Sequence, residues 1–225
     1  MNDLVGTFLS YFGVMYGLLL GMLAVAAYQN KSDIDRIVVR EASSLACLYR
    51  DVSVYPEPLR SQLQERLRGY SKAVIEDDWP KQRLGIVPED STKKVDLFQR
   101  SMMTFAPKTP AEEIIHAEAF SQFNTLVECR RLRLFSINTG IPSVMWYTLI
   151  VGAVIATVII WMFDCPVRTL FFLGGVVTFF NGTMISLIIV MDNPFRGDTA
   201  TSASAFAIVS DSLMDQSDFN PTQGN

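Results

Sequence analysis

The chain has 225 residues, of which 49 % are hydrophobic, and a net charge of −4. Its apolar residues lie in three long blocks instead of being spread at the periodicity of a globular core, which excludes an ordinary soluble domain. The segment between the first two blocks is nearly balanced in charge, so no nucleic-acid-binding surface is expected. The sequence therefore predicts an all-α integral membrane protein with a polar helical insert.

The first apolar block, from Leu4 to Tyr28, carries no charged residue. At about 1.5 Å per residue its helix is longer than the ~30 Å hydrocarbon layer of a bilayer, so residues 1–28 are predicted to form the first transmembrane helix. The block has no basic leader and is longer than the apolar core of a signal peptide. We therefore expect it to be retained in the mature protein.

Small residues recur along this helix at intervals of three or four positions, and at about 100° per residue they share one narrow face. Such a face lets another membrane helix approach closely, although glycine is also frequent in membrane helices in general. We call this set the glycine seam, and it consists of Gly6, Ser10, Gly13, Gly17, Gly21 and Ala24. The seam predicts packing against a partner helix.

The opposite face of the same helix is bulky and apolar. This bulky face consists of Leu4, Phe8, Phe12, Met15, Leu19 and Met22. It is predicted to meet lipid, another helix or a dewetted pore. A single helix does not separate these three alternatives.

Residues 29–140 are predicted to form a helical insert between the first and second spans. The first helix should continue beyond its apolar block until Pro56 and Pro58 stop it. Pro58 should open a second helix, which is predicted to end near Asp77-Asp78-Trp79-Pro80.

The second half of the insert begins with a predicted linker over residues 84–92 and a short helix over residues 95–105. Thr109-Pro110-Ala111-Glu112 is then a strong helix start, with an N-cap threonine, a proline at the first helical position and a glutamate at the third. This helix should run to about Phe135 and feed the second span after a kink. The insert is therefore predicted to be a helical bundle.

Two further apolar blocks of about 20 residues meet the length criterion for spanning a bilayer. They predict a second transmembrane helix over residues 141–163, an outer turn over residues 164–169 and a third transmembrane helix over residues 170–191. The only amide within any span lies in the third, where it should hydrogen-bond a neighbouring helix or line a wet cavity. The predicted packing residues of this span are Gly174, Asn181 and Gly182.

The basic residues favour one orientation in the membrane. Of the 19 Lys and Arg residues, 17 lie between Lys31 and Arg133, which places the insert in the cytoplasm by the positive-inside rule. The N-terminus is then outside, and the tail, residues 192–225, is cytoplasmic and predicted to be disordered after about residue 211. Arg168 in the outer turn disagrees with this orientation. The expected location is a cell membrane, with a bacterial inner membrane preferred.

No catalytic motif is present, so an enzyme is not expected, and no cofactor is implied. His116 is the only histidine, and it lacks the neighbouring ligands of a metal site. Cys47, Cys129 and Cys165 have no paired spacing, so neither a disulfide nor a metal site is predicted from them. The acidic run Glu76-Asp77-Asp78 is typical of a solvated helix end.

Five short motifs keep a fixed order relative to the predicted spans. They are Arg40-Glu41-Ala42 followed by Leu45, Leu48-Tyr49-Arg50, Asp78-Trp79-Pro80, Arg130-Arg131-Leu132-Arg133-Leu134 and Asp192-Asn193-Pro194-Phe195-Arg196-Gly197. In this order the chain resembles the bestrophin-like family of bacterial and plant membrane proteins. The resemblance covers about residues 2–209.

This resemblance implies a four-span protein with both termini in the cytoplasm, and the chain lacks the first of those spans. A mis-assigned start, a truncated sequence and a three-span variant are the alternatives. True bestrophins form pentameric anion channels in which bulky apolar residues of the second span line a neck, so the resemblance implies a homo-oligomer with a similar constriction. The implied pore-lining residues are Leu4, Phe8, Phe12 and Met15.

The segment after the last span differs from that of true bestrophins, which carry an Asn-Pro-Phe-Gly sequence and then an acidic run that binds calcium. Here Arg196 separates Asn193-Pro194-Phe195 from Gly197, and only Asp198 follows. A calcium loop would lack oxygen ligands, so no metal site is expected. A turn that ends the third span, with the proline stopping the helix, explains the segment equally well.

Two functions are consistent with these features. The first is a bestrophin-like ion channel, most simply for anions, or an oligomer derived from one. The second is a non-conducting membrane scaffold or signalling protein that binds a cytoplasmic protein through its insert. A pentameric ring would favour the first, and a monomer or dimer that co-purifies with another protein would favour the second.

Overall fold

The computed structural model describes residues 1–197 and 199–214. Within these residues every regular element is helical. The chain divides into two compact units. We call Met1–Ser32 with Thr139–Thr199 the span unit, and Asp33–Asn138 with the described residues from Ala200 onward the bundle unit.

Eight α-helices make up most of the described residues. They are α1 (Asn2–Asp51), α2 (Leu59–Ala73), α3 (Trp79–Arg83), α4 (Asp90–Met102), α5 (Pro110–Phe135), α6 (Ser143–Trp161), α7 (Val167–Asp192) and α8 (Ser204–Val209). Short 3-10 turns cover Val52–Val54 and Ser136–Asn138, and π-helical turns cover Val74–Asp78 and Ser210–Met214. Among the described helices, α1, α6 and α7 are long and apolar enough to cross a membrane. The prediction of a helical membrane protein with three candidate spans is confirmed.

α1 is one continuous helix of 50 residues. At a rise of 1.5 Å per residue it is about 75 Å long. The predicted continuation beyond the first apolar block is confirmed, because neither glycine nor proline interrupts residues 22–51. The helix ends just before the 3-10 turn that precedes Pro56 and Pro58.

The predicted end of the second helix near Pro80 is wrong. α2 passes through the π-helical turn Val74–Asp78 into α3, which continues to Arg83. Pro80 lies in the first turn of α3, where a proline ring needs no backbone N–H donor. Asp78 and Trp79 are consequently buried instead of marking a helix end.

The second half of the insert follows the prediction more closely. α4 begins and ends earlier than the predicted range of residues 95–105. The predicted start of α5 is confirmed, because the Thr109 hydroxyl accepts from the Glu112 N–H at 3.2 Å and the Glu112 carboxylate accepts from the Thr109 N–H at 3.3 Å. α2 and α4 pack against each other. The aromatic rings of Phe98 on α4 and Phe123 on α5 stack with centroids 5.5 Å apart.

The chain after α7 returns to the bundle unit. Phe206 on α8 and Met214 at the end of the following π turn are both fully buried. The Arg68 Nε donates to the Met214 carbonyl at 3.2 Å. Helical structure thus continues past residue 211, and the remainder of the tail predicted to be disordered, residues 215–225, lies outside the described residues.

Candidate functional site

The span unit is built on a close contact between α1 and α6. The ring of Tyr16 on α1 lies against Gly152 on α6, and a Cβ atom at Gly152 would come within 2.2 Å of Tyr16 Cε2. The Tyr16 hydroxyl donates to the Leu149 carbonyl at 3.0 Å. Only glycine fits under the ring, since any side chain would overlap it.

The sequence analysis did not identify Gly152 as a packing residue. A signal was present, because Gly152 and Ala156 form a small-xxx-small pair on α6 and both are buried. The contact continues into an apolar core shared by α1, α6 and α7. Its buried members are Tyr16, Leu20, Leu23, Ala27, Leu149 and Ile188.

The glycine seam lies on a different part of α1. A Cβ atom at Gly6, Gly13, Gly17 or Gly21 would meet no atom within 4 Å. The described residues therefore bring no other part of this chain against these four glycines. Contact between the seam and a helix of another chain stays a prediction.

The bulky face of α1 is largely exposed. Leu4, Phe8 and Met15 are 76 %, 57 % and 54 % exposed. Phe12 is half-buried and stacks on Tyr16 with ring centroids 5.8 Å apart. At about 100° per residue the bulky face and the glycine seam lie on opposite sides of Tyr16, each roughly 90° away from it. The face of α1 that carries Tyr16 is therefore buried within its own chain. The bulky face lies on one side of it and the glycine seam on the other.

The three predicted packing residues of α7 have different environments. Gly174 is buried, and a Cβ atom there would lie 3.9 Å from Nε1 of Trp161, the last residue of α6. Asn181 is also buried. A Cβ atom at Gly182 would meet nothing within 4 Å. Gly174 therefore lies close to α6, whereas Gly182 is open within this chain.

The motif after the third span connects the end of α7 to the segment that precedes α6. Asp192 Oδ1 accepts from the Ile141 N–H at 2.7 Å, and a Cβ atom at Gly140 would lie 3.0 Å from Asp192 Oδ2. The Asn193 side chain donates to the Ile189 carbonyl at 3.0 Å, within the last turn of α7. The aspartate and the asparagine therefore have structural roles in this chain.

The rest of this motif forms the turn that the sequence suggested. α7 ends at Asp192, two residues before Pro194, and both Pro194 and Phe195 are buried. Gly197 has φ +83°, a left-handed conformation that glycine adopts without strain. Arg196 is exposed. Asp198, the one acidic residue considered for a calcium loop, lies outside the described residues.

The bundle unit contains a buried ion pair that the sequence analysis did not predict. Arg133 on α5 donates from Nε to Glu41 Oε2 at 2.7 Å and from Nη2 to Glu41 Oε1 at 3.0 Å. Both side chains are 0 % exposed. The Tyr70 hydroxyl donates to Glu41 Oε1 at 2.6 Å. Burial is the main cause that raises the pKa of Tyr70, and the negative charge of Glu41 raises it further. The Tyr70 hydroxyl therefore keeps its proton and stays a donor.

A signal for this pair was present in α5. Arg130 and Arg133 continue the three- and four-residue spacing of the buried Phe123 and Leu126, which places both arginines on the buried face. Buried arginines require anionic or polar partners. The partner of Arg130 is Ser91, whose hydroxyl oxygen accepts from Arg130 Nη2 at 2.7 Å.

Asp78 is a second acidic residue beside Arg133, and the prediction of a solvated acidic run is wrong for it. Its side chain is fully buried, with Oδ2 3.7 Å from Arg133 Nη2, whereas Glu76 and Asp77 are exposed. Burial raises the pKa of Asp78, and the nearby Ser91 hydroxyl and Arg133 guanidinium offset this only partly.

Aromatic rings also lie close to the Arg133 guanidinium. Its central carbon lies 5.3 Å from the ring centre of Trp79 and 5.9 Å from that of Phe206. The Trp79 Nε1 donates to the Thr201 carbonyl at 3.1 Å. Residues 201–206 therefore close the cluster around the arginine.

His116 lies among aromatic side chains of the bundle unit. Its Nδ1 lies 2.6 Å from the Tyr55 hydroxyl, and its ring contacts Phe105 and Phe120 at centroid distances of 5.3 and 4.9 Å. Burial lowers the pKa of His116 and raises that of Tyr55 to about 12, so both groups of this hydrogen bond are neutral at neutral pH. Within residues 1–197 and 199–214, no cluster of three or more potential His, Cys, Asp or Glu ligands is present.

Comparison with known proteins identifies the fold. The solved structure of a bacterial bestrophin homologue from Klebsiella pneumoniae is similar to this chain with a TM-score of 0.72 and 12 % identity, over 96 % of this chain and 88 % of that one. A variant of that homologue with one mutation gives a TM-score of 0.72 and 11 % identity, over 94 % and 87 % of the two chains. No curated protein sequence matches.

A family model described as Bestrophin-like domain matches residues 1–206. The matched range includes α1, α6 and α7, the buried cluster around Arg133 and the motif at Asp192. This agrees with the resemblance found in the sequence. The chain therefore belongs to the Bestrophin-like family.

Proposed function

We propose that this chain is one subunit of an ion channel, a homo-oligomer in the cell membrane. The observation that carries the proposal is the exposed bulky face of α1 in a chain with the bestrophin fold. Phe8 and Met15 are each more than half exposed, although their helix packs against α6 on an adjacent face. A row of bulky apolar side chains suits a hydrophobic constriction, which gates by excluding water.

In the proposed pore, Leu4, Phe8 and Met15 face the conduction path. Phe12 supports them from behind, because its ring stacks on Tyr16 within the same subunit. True bestrophins are anion channels, and an anion is the proposed permeant ion here.

The proposed assembly uses the glycine seam of α1. The seam lies roughly opposite the bulky face, and a Cβ atom at any of its four glycines would meet no atom of its own chain within 4 Å. A helix of the neighbouring subunit can approach this small-residue surface closely. The proposed subunit number is five, as the resemblance to true bestrophins implies, and lipid surrounds the remaining faces.

The bundle unit is proposed to lie in the cytoplasm, with the N-terminus outside. The excess of basic residues that flank the first and second apolar blocks on this side supports that orientation, because positive charges favour the cytoplasmic face. Lys31 follows the first apolar block, and Arg130-Arg131 and Arg133 precede the second.

The test is conductance of the purified full chain in planar lipid bilayers. Anion current is expected, and the double variant Phe8→Ala plus Phe12→Ala should increase it. Loss of the Phe8 ring widens and wets the constriction, and loss of the Phe12 ring removes the support behind it. Phe180→Ala is the matched control, since Phe180 on α7 is 58 % exposed, close to the 57 % of Phe8. The control should conduct like the unmodified chain.

Two results would overturn this proposal. An absence of current from both the unmodified chain and the double variant would remove the channel function and favour the non-conducting scaffold, whose partner would bind the bundle unit. Equal changes in Phe180→Ala and the double variant would remove the assignment of the bulky face to the pore. Selectivity for cations over anions would overturn only the proposed ion.

A further inference from the structure

The interior of the bundle unit contains polar atoms that no hydrogen bond satisfies within the described residues. Six of them belong to four side chains that are each 0 % exposed. They are the Ser71 hydroxyl oxygen, both carboxylate oxygens of Asp78, both amide atoms of Gln82 and Nη1 of Arg133. The Ser91 hydroxyl lies near the Asp78 carboxylate, so Asp78 is the weakest member of this set. Neither the ion pair with Glu41 nor the proposed pore uses these atoms.

These side chains come from consecutive helical segments and one facing helix. Ser71 lies in α2, Asp78 in the π turn and Gln82 in α3, whereas Arg133 reaches in from α5. Asp78 and Gln82 are four residues apart, so they share one face of the continuous helix. Asp78 Oδ2 lies 3.7 Å from Arg133 Nη2, so the side chain from the π turn meets the one from α5.

Buried polar groups in native proteins are paired in more than about 90 % of cases, with protein or with ordered water. Gln82 is the strongest indicator here, because its amide presents a carbonyl oxygen and an NH₂ group and neither is satisfied. A polar ligand at this position would supply one hydrogen bond to the carbonyl oxygen and one to the NH₂ group of Gln82. The four side chains together offer donors and acceptors in similar number.

We propose that this cluster binds ordered water molecules inside the bundle unit, which bridge Gln82 to Asp78 and Arg133. The charges select water over ions: the Arg133 guanidinium disfavours a cation, and the Asp78 carboxylate disfavours an anion. A water molecule both donates and accepts, and buried waters typically make about three hydrogen bonds. This matches the mixed donor and acceptor character of the site.

The first test is the thermal stability of the full chain with Gln82→Met, which keeps the side-chain length and removes both polar groups. If water satisfies the amide, the variant loses those hydrogen bonds, and Tm should fall by about 3 °C or more. If the amide is dry, the same change removes an unsatisfied group, and Tm should stay equal or rise. Gln62→Met, at an exposed position of α2, is the matched control and should leave Tm unchanged.

Ser71→Ala provides a second, smaller change that keeps the fold if Gln82→Met does not yield folded protein. It should also lower Tm, and an unchanged or raised Tm would overturn the proposal. A high-resolution density map of the complete protein should show solvent peaks within hydrogen-bond distance of Gln82. Absent peaks, or a peak with the anomalous signal of a halide or metal ion, would overturn the assignment to water.

Discussion

Glu41 and Arg133 are joined by two parallel hydrogen bonds of 2.7 and 3.0 Å, although they lie 92 residues apart in the sequence. The pair connects α1 to α5 inside the bundle unit. Both side chains are completely buried, so bulk solvent does not reach either partner. The arrangement makes the bundle unit more sensitive to the loss of one charge of the pair than to the loss of both.

Removing only one partner of this pair should destabilise the protein strongly. Arg133→Met leaves the Glu41 carboxylate buried with only the Tyr70 hydroxyl as a donor, and a loss of about 3–5 kcal/mol of unfolding free energy is expected. Glu41→Leu combined with Arg133→Met should recover part of that loss, because Glu41 is then no longer a buried charge without its cation. The buried Asp78 still loses its neighbour Arg133, so the recovery should be incomplete. Chemical denaturation in detergent measures both values.

The exposed pair Asp33 and Arg36 is the control for this prediction. Its atoms are 3.4 Å apart and both side chains are more than half exposed. Arg36→Met should change the unfolding free energy by less than about 1 kcal/mol. The variant Glu41→Leu plus Arg133→Met could instead be less stable than Arg133→Met alone. That result would show that an isolated buried charge does not explain the loss of stability.

The stability of the protein should depend on the ionisation of Asp78. Burial raises its pKa above the unfolded value, so the folded chain holds the proton more tightly than the unfolded chain. This contribution to stability is fully present below the unfolded pKa and is lost as the pH rises through the folded pKa. Asp78→Asn mimics the neutral form and should have the higher Tm at pH 7.

Thermal scans between pH 4 and pH 7.5 test this prediction. The advantage of Asp78→Asn over the unmodified chain should shrink as the pH falls, because Asp78 itself becomes protonated. Asp77→Asn changes the exposed neighbour and should follow the unmodified chain at every pH. A difference between Asp78→Asn and the unmodified chain that is constant over this range would contradict the assigned titration.

Gly152→Ala should weaken the span unit, because the added Cβ atom would lie 2.2 Å from a Tyr16 ring carbon. The ring has to move, and overpacking of this kind costs about 1–3 kcal/mol. Thermal stability in detergent measures the effect. Adding Tyr16→Leu should relieve the overlap and restore part of the loss, whereas Gly175→Ala, where nothing lies within 4 Å, should be neutral. An equally stable Gly152→Ala would show that the contact is not tight.

Gly17→Leu should prevent assembly without unfolding the subunit. The position is open within the chain, since a Cβ atom there would meet nothing within 4 Å, but a leucine would hold a neighbouring helix away from the glycine seam. Cross-linking and particle size should show smaller species at unchanged Tm. Leu18→Ala on the same helix is the control, and an intact oligomer after Gly17→Leu would refute the role of the seam.

Much of the helical structure follows from local sequence signals. The uninterrupted course of α1 and the capped start of α5 at Thr109 depend on residues close in sequence, as do the three apolar helices. Such features are readable because proline, glycine, capping side chains and apolar runs act over a few residues. The burial of Asp78 was missed for the opposite reason: a π turn and distant Arg133 determine it.

The sequence by itself determined a helical membrane protein of the Bestrophin-like family, with a glycine seam and a bulky face on its first helix. Only the tertiary structure decided that Tyr16 packs on Gly152 and that Arg133 lies between Glu41, Asp78 and Trp79. The physical reason is distance along the chain. Side-chain periodicity reports which face of a helix is apolar, but the partner of a buried ring or charge comes from a helix far away in sequence, and packing alone selects it.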